Sequence, residues 1–268
     1  MIIKIRHQTE YSFSDTVPRL VQSLKLIPSK TKNQNILDWK LSCSNGSLLE
    51  SHQDALGHKI FNIFNYNFFG KQEIISKGTI ETKDTKGIMS CLQDKVNPLC
   101  FLRHTFLTKP ENEILKLSKN IKKNKDEIKF CHNLNLTVSE AILFKSGSTN
   151  NETSAECSLR LGTGVCQDYA HILISLARYF EIPARYVNGY LLEDNSTNKF
   201  YTHAWVELYI TNLGWVAFDP SHKKCIDEKY VRISCGYDFI DASPIKGVKL
   251  NYLGSEELNF KLSINSEQ

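Results

Sequence analysis

The strongest constraint on the fold is a two-residue alternation of apolar and polar residues along much of the first 90 residues. Odd positions from Ile3 to Phe13 carry mainly apolar or aromatic residues, which is typical of a half-buried β-strand. Asn45 and Gly46 supply a hairpin turn, because both tolerate positive φ. The pattern predicts an N-terminal β-domain over residues 1–95. Further strands are predicted at Leu20–Leu26, Leu37–Cys43, Lys59–Tyr66 and Glu73–Thr82.

The periodicity becomes helical after about residue 100. Pro110 and the acidic residues after it precede a helical apolar pattern that runs to Ile121. A second helix is predicted from Asp126 to about Leu136. The two-residue alternation returns over residues 248–264, which we expect to rejoin the first domain as a closing hairpin. The chain is therefore predicted to be an α+β protein, with a core at residues 100–235 and C-terminal strands at 236–268.

The composition of the chain argues against several classes of function. The chain has 268 residues, a formal net charge of +4 and 8 cysteines. No basic stripe is interleaved with aromatic residues, so we expect no nucleic-acid partner. No cysteines form a Cys-x-x-Cys pair, so we expect no metal site and no other cofactor. No apolar run approaches the roughly 18 residues of a membrane span, and no secretory segment is visible. Scattered thiols then favour the reducing cytoplasm.

A cysteine preceded by glycine opens an apolar segment in the middle of the chain. Gly164 lies two residues before Cys166, and an apolar stripe over residues 170–177 predicts a buried helix that Pro183 ends. Backbone N–H groups at a helix start stabilise negative charge, by about 0.3–1 kcal/mol and up to about 2 kcal/mol in buried geometry. Because the thiolate is the reactive form of cysteine, Cys166 is the candidate nucleophile. Gln167 is expected to line the same helix start.

A thiolate fully formed at neutral pH needs a further source of positive charge, and a protonated imidazole is the natural one. His203 lies on a predicted strand over residues 202–209, and the next predicted strand ends at Asp219. If these strands pair, the carboxylate can bind one ring nitrogen, fix the tautomer and stabilise the protonated ring. Trp205 and Trp215 are expected to shield the pair from water.

Each of these residues alone has an ordinary structural interpretation. A cysteine at a helix start is more often a packing residue, a histidine in a strand is usually structural, and an aspartate before proline is usually a turn residue. Their ordered spacing favours a catalytic site instead. His171 follows Cys166 by five residues on the same helix, roughly 140° round the axis. We therefore expect His171 to pack or form hydrogen bonds and not to act as the base.

Four blocks of residues resemble the core of bacterial transglutaminase-like cysteine enzymes. Segments near both ends extend the resemblance: Leu26-x-Pro28 and residues 54–57 are similar to that family's N-terminal β-domain, and residues 236–247 to its C-terminal signature. The chain departs from the family at Tyr237, where arginine is usual, and at His58, where asparagine is usual. The four core blocks are residues 164–171, 182–190, 202–207 and 214–220.

The resemblance implies a papain-like, transglutaminase-like core with Cys166 as nucleophile, His203 as general base and acid, and Asp219 as the group that orients the histidine. The implied reaction is thiol-dependent acyl transfer, with hydrolysis of a peptide or amide bond in a peptide or protein substrate as the preferred outcome. Transglutamination and a non-catalytic peptide-binding module are the alternatives. A peptide:N-glycanase-like enzyme shares the core but usually adds Cys-x-x-Cys zinc ligands, which are absent from this sequence.

The sequence does not name the substrate or the oligomeric state. Specificity is expected to depend on two polar loops, Lys145–Glu156 and Asp194–Lys199. Neither loop carries a recognisable binding motif.

Overall fold

The computed structural model describes residues 1–192 and 200–267. The helices are α1 (Asn112–Lys119), α2 (Glu127–Ala141), α3 (Ala155–Leu161), α4 (Cys166–Tyr179) and α5 (Phe239–Ala242). The strands are β1 (Ile2–Leu24), β2 (Gln34–Cys43), β3 (Ser47–Gln53), β4 (Lys59–Thr82), β5 (Ile88–Met89), β6 (Leu143–Phe144), β7 (Thr163–Gly164), β8 (Ala184–Leu192), β9 (Phe200–Ile210), β10 (Gly214–Asp219), β11 (Lys224–Cys225), β12 (Tyr230–Gly236), β13 (Ile245–Leu250) and β14 (Glu256–Glu267).

The first sheet is built on two long strands, β1 and β4, which pair antiparallel along most of their length. The separate strands predicted at Leu20–Leu26, Lys59–Tyr66 and Glu73–Thr82 are therefore wrong as independent elements. The pairing of β1 with β4 shifts register between Phe13 and Val17, so the polar residues there form an irregularity within one strand. Besides pairing with each other, β1 and β4 each pair with two shorter strands, one along each half.

The C-terminal strands complete this first sheet, as the sequence pattern predicted. Strand β14 pairs antiparallel with the first half of β1, and β13 pairs with its second half. Strands β3 and β2 pair in the same way with the two halves of β4. The α+β class with an N-terminal β-region completed by C-terminal strands is confirmed. The domain boundaries at residues 95–100 and 235–236 stay a prediction.

The second sheet carries the candidate site and has the order β11-β10-β9-β8-β12, with β5 added at β10. Helix α4 packs against one face, where its apolar side chains meet alternate residues of β9 and β10, among them Val206, Leu208 and Phe218. The opposite face packs Trp205 and Trp215 against Phe101. This confirms the predicted alternation of β9, whose Val206 and Leu208 pack with α4 while Trp205 packs in the other cluster.

Helix α3 was missed, because the polar stretch Lys145–Glu156 indicated a loop. That loop ends at Ser154, whose side chain accepts a hydrogen bond from the Cys157 amide and caps α3. The carboxylate of Glu156 accepts hydrogen bonds from the Glu113 and Ile114 amides in the first turn of α1. Polar side chains therefore cap α3 and tie its first turn to the first turn of α1. The segment has no apolar stripe, so its sequence did not indicate a helix. No helix in the described residues is long and apolar enough to cross a membrane.

A buried ion cluster ties three strands of the second sheet together. Glu207 on β9 is fully buried and accepts hydrogen bonds from Arg185 on β8, at 2.5 Å, and from Arg232 on β12, at 2.7 Å. The Arg185 guanidinium also packs on the Trp215 ring, 4.0 Å from its centroid. Two buried cations therefore share the Glu207 carboxylate. Arg185 has a second carboxylate partner, the partly buried Asp94.

Replacing Glu207 with glutamine is expected to lower the free energy of unfolding by about 3–5 kcal/mol, because two buried guanidinium groups lose their shared counter-charge. Chemical denaturation followed by circular dichroism measures the loss. Glu50→Gln is the matched control, since Glu50 is exposed and 3.9 Å from Lys59, where an ion pair is worth less than about 1 kcal/mol. Equal losses in the two variants would contradict the structural role assigned to the cluster.

The pH dependence of that difference follows from the pKa of Glu207. Burial raises this pKa, but the charges of Arg185 and Arg232 outweigh burial and lower it from 4.5 to about 2. A carboxyl group with a lowered pKa contributes stability above its unfolded-state pKa and loses that contribution as pH falls through its folded-state pKa. The stability gap between the native chain and Glu207→Gln should therefore be full above pH 4.5 and narrow towards pH 2.

Candidate active site

The helix that begins at Cys166 is capped by its own third residue. Asp168 accepts hydrogen bonds through Oδ2 from the Val165 amide, at 2.8 Å, and from the Thr149 hydroxyl, at 2.6 Å. A Cβ atom on Gly164 would lie 2.6 Å from the Asp168 Cβ, so glycine is required for this close approach. The Asp168 carboxyl is therefore held back against the residues before the helix.

The charge of Asp168 would oppose a thiolate nearby, and its surroundings reduce that effect. Burial raises the pKa of Asp168, and the hydrogen bonds from Thr149 and Val165 only partly counteract it. A carboxyl group with a raised pKa carries its negative charge less readily. The hydrogen bonds to Asp168 cap the helix, and the Cys166 side chain takes no part in this capping.

Two backbone amides at the start of α4 remain available. The first intrahelical bonds are those from the Asp168 and Tyr169 amides to the Val165 carbonyl. Within the described part of the chain, the amides of Cys166 and Gln167 donate no hydrogen bond. Unpaired N–H groups at a helix start are suited to bind an oxyanion. The amides of Cys166 and Gln167 are therefore the candidate donors of an oxyanion hole.

His203 and Asp219 form a buried pair on the neighbouring strands β9 and β10. The register of β9 and β10 pairs Val206 with Phe218, which places Asp219 diagonally across from His203 on the same face. The His203 Nε2 atom lies 2.6 Å from Asp219 Oδ2. His203 is 7% exposed and Asp219 is fully buried, so the predicted pairing of the two residues is present.

Burial alone would lower the pKa of His203, but the charge of Asp219 and the hydrogen bond to it outweigh burial and raise the pKa to about 10. Burial raises the pKa of Asp219, whereas His203 and His222 together hold it well below its usual range. Both shifts favour the charged forms. The electrostatics of the site therefore favour an imidazolium–carboxylate pair over the neutral forms.

Cys166 reaches this pair from the helix side. Hydrogen bonding between the Cys166 side chain and His203 is a further cause of the raised pKa of the imidazole. Since Nε2 is engaged by Asp219, Nδ1 is the ring nitrogen left for the sulfur. Cys166 is partly exposed, so a substrate can approach it. The structure therefore brings together the three residues predicted to be catalytic.

Asp219 has three further partners that sequence reasoning missed. The Ser221 hydroxyl donates to Oδ1 at 2.7 Å, the Tyr230 hydroxyl to Oδ2 at 2.8 Å, and His222 Nδ1 lies 2.8 Å from Oδ2. Ser221 and His222 follow Asp219 closely and could have been found as a local turn. Tyr230 had no such signal, because it comes from β12, two strands beyond β9 in the sheet.

The two predicted tryptophans differ in position. Trp205 is fully buried, and its ring lies 6.4 Å from the His203 ring in a stacked arrangement. A Cβ atom on Gly189 would lie 2.5 Å from the Trp205 ring, so glycine makes room for it. Trp215 instead packs against Phe101 and Arg185. Of the two, Trp205 is the one with a ring contact to His203.

The other histidines near the core have structural partners. His171 is fully buried, and its Nε2 accepts a hydrogen bond from the Phe239 amide at 3.1 Å. Burial lowers the pKa of His171 to about 3, which keeps the ring neutral. The packing and hydrogen-bonding role predicted for His171 is confirmed. His58 is likewise buried and bonded, to Asp54 and to the Cys235 amide.

The residues that could hold a metal overlap with the catalytic pair. One donor atom each from His203, Asp219 and His222 lies within 4.8 Å of the others, and two imidazoles with a carboxylate are common transition-metal ligands. The same atoms are joined by the hydrogen bonds at 2.6 and 2.8 Å. This arrangement satisfies them without an ion, and the expectation of no metal or other cofactor stays a prediction.

Comparison with known families agrees with this architecture. The transglutaminase-like superfamily profile matches residues 115–220, which include Cys166, His203 and Asp219. The profile of the bacterial transglutaminase-like N-terminal region matches residues 3–66, within β1 to β4. The N-terminal match precedes the core match in the chain, as β1 to β4 precede the strands of the second sheet.

Relatives and solved structures are similar over different lengths. The uncharacterized protein ML0607 of Mycobacterium leprae is 30% identical over 152 residues, 55% of this chain and 54% of that protein. The uncharacterized Mycobacterium tuberculosis protein Rv2569c is 30% identical over 46% of this chain and 41% of its own. The chain thus spans about half the length of these relatives or less.

Among solved structures, a "Putative Cysteine Protease from Cytophaga hutchinsonii" superimposes with a TM-score of 0.78 at 23% identity, over 100% of this chain and 91% of that one. At this identity the likeness shows a shared fold. The two profile matches show that residues 115–220 belong to the transglutaminase-like superfamily and that a bacterial transglutaminase-like N-terminal region precedes them.

Proposed function

We propose that this protein is a thiol-dependent acyl-transfer enzyme that hydrolyses a peptide or amide bond through an acyl-enzyme on Cys166. The observation that carries the proposal is the meeting of a partly exposed cysteine at a helix start with a buried imidazolium–carboxylate pair. A protonated His203 supplies the positive charge that a thiolate needs at neutral pH.

The mechanism assigns one task to each group. The Cys166 sulfur attacks the amide carbonyl carbon, and the carbonyl oxygen takes up negative charge. The amides of Cys166 and Gln167 bind that oxyanion. His203 then donates its proton to the leaving amine, the C–N bond breaks, and a thioester remains on Cys166. Water attacks the thioester as His203 takes its proton, which releases the acid and the free cysteine. Asp219 keeps the His203 ring oriented and charged throughout.

Hydrolysis is proposed over transfer to an amine because water needs no binding cleft of its own, whereas an amine acceptor does. A non-catalytic peptide-binding role is less well supported, since such a role does not need a charged imidazole beside a cysteine. Eight cysteines without a disulfide support a reducing compartment, and we place the activity in the cytoplasm.

A panel of peptide amides with a primary amine present tests the proposal. We expect Cys166-dependent release of the free acid and a thioester adduct on Cys166 that mass spectrometry detects. Cys166→Ala should abolish both, and Cys157→Ala, which removes a cysteine outside the site, should abolish neither. Amine incorporation faster than hydrolysis would replace the hydrolase with a transferase. Equal turnover by the native chain and Cys166→Ala would overturn the catalytic proposal.

A further inference from the structure

Three side chains with metal-binding atoms meet at the carboxylate of the candidate active site. His203 Nε2 and His222 Nδ1 lie 2.6 and 2.8 Å from the same atom, Asp219 Oδ2. One donor atom from each residue lies within 4.8 Å of the other two. Two imidazoles and one carboxylate, with a fourth position left for water, are a donor set that zinc enzymes use. The proposed mechanism uses His203 and Asp219 but assigns His222 no task, so catalysis does not explain its place in this group.

The Asp219 carboxylate is already oriented by hydrogen bonds of the kind that support metal ligands. The Ser221 amide and hydroxyl both donate to Oδ1, at 2.9 and 2.7 Å, which leaves Oδ2 towards the two imidazoles. The Tyr230 hydroxyl donates to Oδ2 at 2.8 Å. Partners outside the ligand set commonly fix metal-binding carboxylates in this way.

The spacing of the three donor atoms needs only a small expansion to accept an ion. Zinc bonds of about 2.0–2.2 Å at tetrahedral angles place two ligand atoms roughly 3.3 Å apart. The two N···O distances are shorter than this by about 0.5–0.7 Å. His222 can supply the movement, because it lies in the turn after β10 and is 38% exposed. His203 and Asp219 are buried, so the approach from solvent is on the His222 side.

The Cys166 sulfur lies outside this donor set. Asp219 engages Nε2 of the His203 ring, which leaves Nδ1 for the hydrogen bond with Cys166. An ion bound at Nε2 therefore sits across the ring from the sulfur. Imidazole nitrogen suits Zn²⁺ and its first-row neighbours, whereas Mg²⁺ and Ca²⁺ prefer sites made of oxygen ligands.

We infer that His203, Asp219 and His222 form a binding site for Zn²⁺ that inhibits the enzyme reversibly. On binding, the proton on His203 Nε2 leaves to water, and the His222 proton moves from Nδ1 to the other ring nitrogen. The inhibition rests on the proposed function. With Nε2 bound to the ion, His203 could release its Nδ1 proton only by becoming an imidazolate, so it no longer serves as the acid and base of the reaction. Catalysis itself needs no metal.

A titration with Zn²⁺ tests the site without any turnover. The parent protein is Cys166→Ala, which lacks the thiol beside His203, and its accessible thiols are blocked with iodoacetamide before calorimetry. Adding His222→Asn should weaken zinc binding at least tenfold, because an amide can still donate to Asp219 but is a poor zinc ligand. Adding His52→Asn, the same change at an exposed histidine on β3, should leave the affinity unchanged. No zinc binding by the parent, or equal affinities in all three proteins, would overturn the inference.

Inhibition is measured on the panel of peptide amides. Zn²⁺ should inhibit Cys166-dependent hydrolysis, EDTA should restore it, and Mg²⁺ at the same concentration should have no effect. The inhibition constant should rise at least tenfold in His222→Asn and stay unchanged in His52→Asn, each measured against its own metal-free rate. Equal inhibition of the native chain and His222→Asn would mean that zinc acts elsewhere, for example on the Cys166 thiolate, and would overturn the inference. Absence of Cys166-dependent turnover on every peptide would overturn the proposed function, and the titration alone then decides the metal site.

Discussion

Replacing His203 with alanine is expected to lower kcat/KM for amide hydrolysis by about 10³-fold or more. His203 has two tasks in the proposed reaction, since its positive charge stabilises the Cys166 thiolate and its proton goes to the leaving amine. Proton transfer by a positioned group is worth about 10²–10⁴-fold, and the loss of the thiolate adds to this. The variant removes both contributions at once.

Two readouts separate these tasks. The iodoacetamide alkylation rate of Cys166 at pH 7 reports the thiolate alone, and we expect it to fall about tenfold or more in His203→Ala. Turnover should fall further, because it also needs the proton. The matched control is His222→Ala, which removes the other histidine bonded to Asp219 but is 38% exposed. Its loss in turnover should stay below about tenfold. Unchanged alkylation and turnover in His203→Ala would remove His203 from the mechanism.

The pH profile of the native chain provides a further check. Because the pKa of His203 is raised to about 10, its proton is present through neutral and weakly basic pH and is lost as pH rises through 10. Turnover that needs this proton should decline over the same range. In His203→Ala that decline should be absent from the residual activity.

The candidate site could be predicted because each of its parts has a local signature. Cys166 lies between a glycine and an apolar helical stripe, and His203 lies on an alternating strand. Asp219 ends the next strand after a short turn. Adjacent strands joined by a short turn pair with little ambiguity, so the approach of His203 to Asp219 followed from sequence order.

The features that escaped prediction depend on contacts between distant parts of the chain. Strands β1 and β4 are long because each pairs with two partners along its length, and an irregularity within a strand resembles a turn in the sequence. Tyr230 reaches Asp219 only through the sheet order, which places β12 beside β8. The predicted specificity loop Asp194–Lys199 lies outside the described residues.

His58 and Tyr237, which depart from the family pattern, also have contacts that the local sequence does not predict. His58 is buried and joins two parts of the fold. Its Nδ1 lies 2.9 Å from Asp54, and its Nε2 accepts from the Cys235 amide at 3.0 Å. The Arg103 guanidinium packs on the Tyr237 ring, 4.1 Å from the ring centroid. The His58–Cys235 and Arg103–Tyr237 contacts join segments more than 100 residues apart, where no short-range pattern can indicate a partner.

Replacing Asp219 with asparagine is expected to lower kcat by about 10²–10⁴-fold while leaving the site nearly unchanged in shape. The charge of Asp219 is what raises the pKa of His203 against burial. A neutral amide removes that charge, so the pKa falls and the imidazole is neutral at pH 7. The amide can also donate a hydrogen bond to Nε2, which favours the wrong tautomer for proton transfer.

A structural explanation for that loss must be separated from an electrostatic one, because Asp219 also accepts hydrogen bonds from Ser221 and Tyr230. The pH profile makes the distinction: in Asp219→Asn the decline expected near pH 10 should move to lower pH, which a merely loosened site would not cause. Asp126→Asn is the matched control, because Asp126 caps α2 and asparagine caps a helix equally well.

Combining the two changes tests whether Asp219 acts through His203. If the carboxylate only orients and charges the ring, the double variant with His203→Ala and Asp219→Asn should be no slower than His203→Ala alone, since the group it serves is already gone. Losses that multiply would instead mean that Asp219 contributes independently, for example by holding β10 and β12 together through Tyr230. The alkylation rate of Cys166 at pH 7 should show the same non-additivity, because the thiolate depends on Asp219 only through the charge on the imidazole.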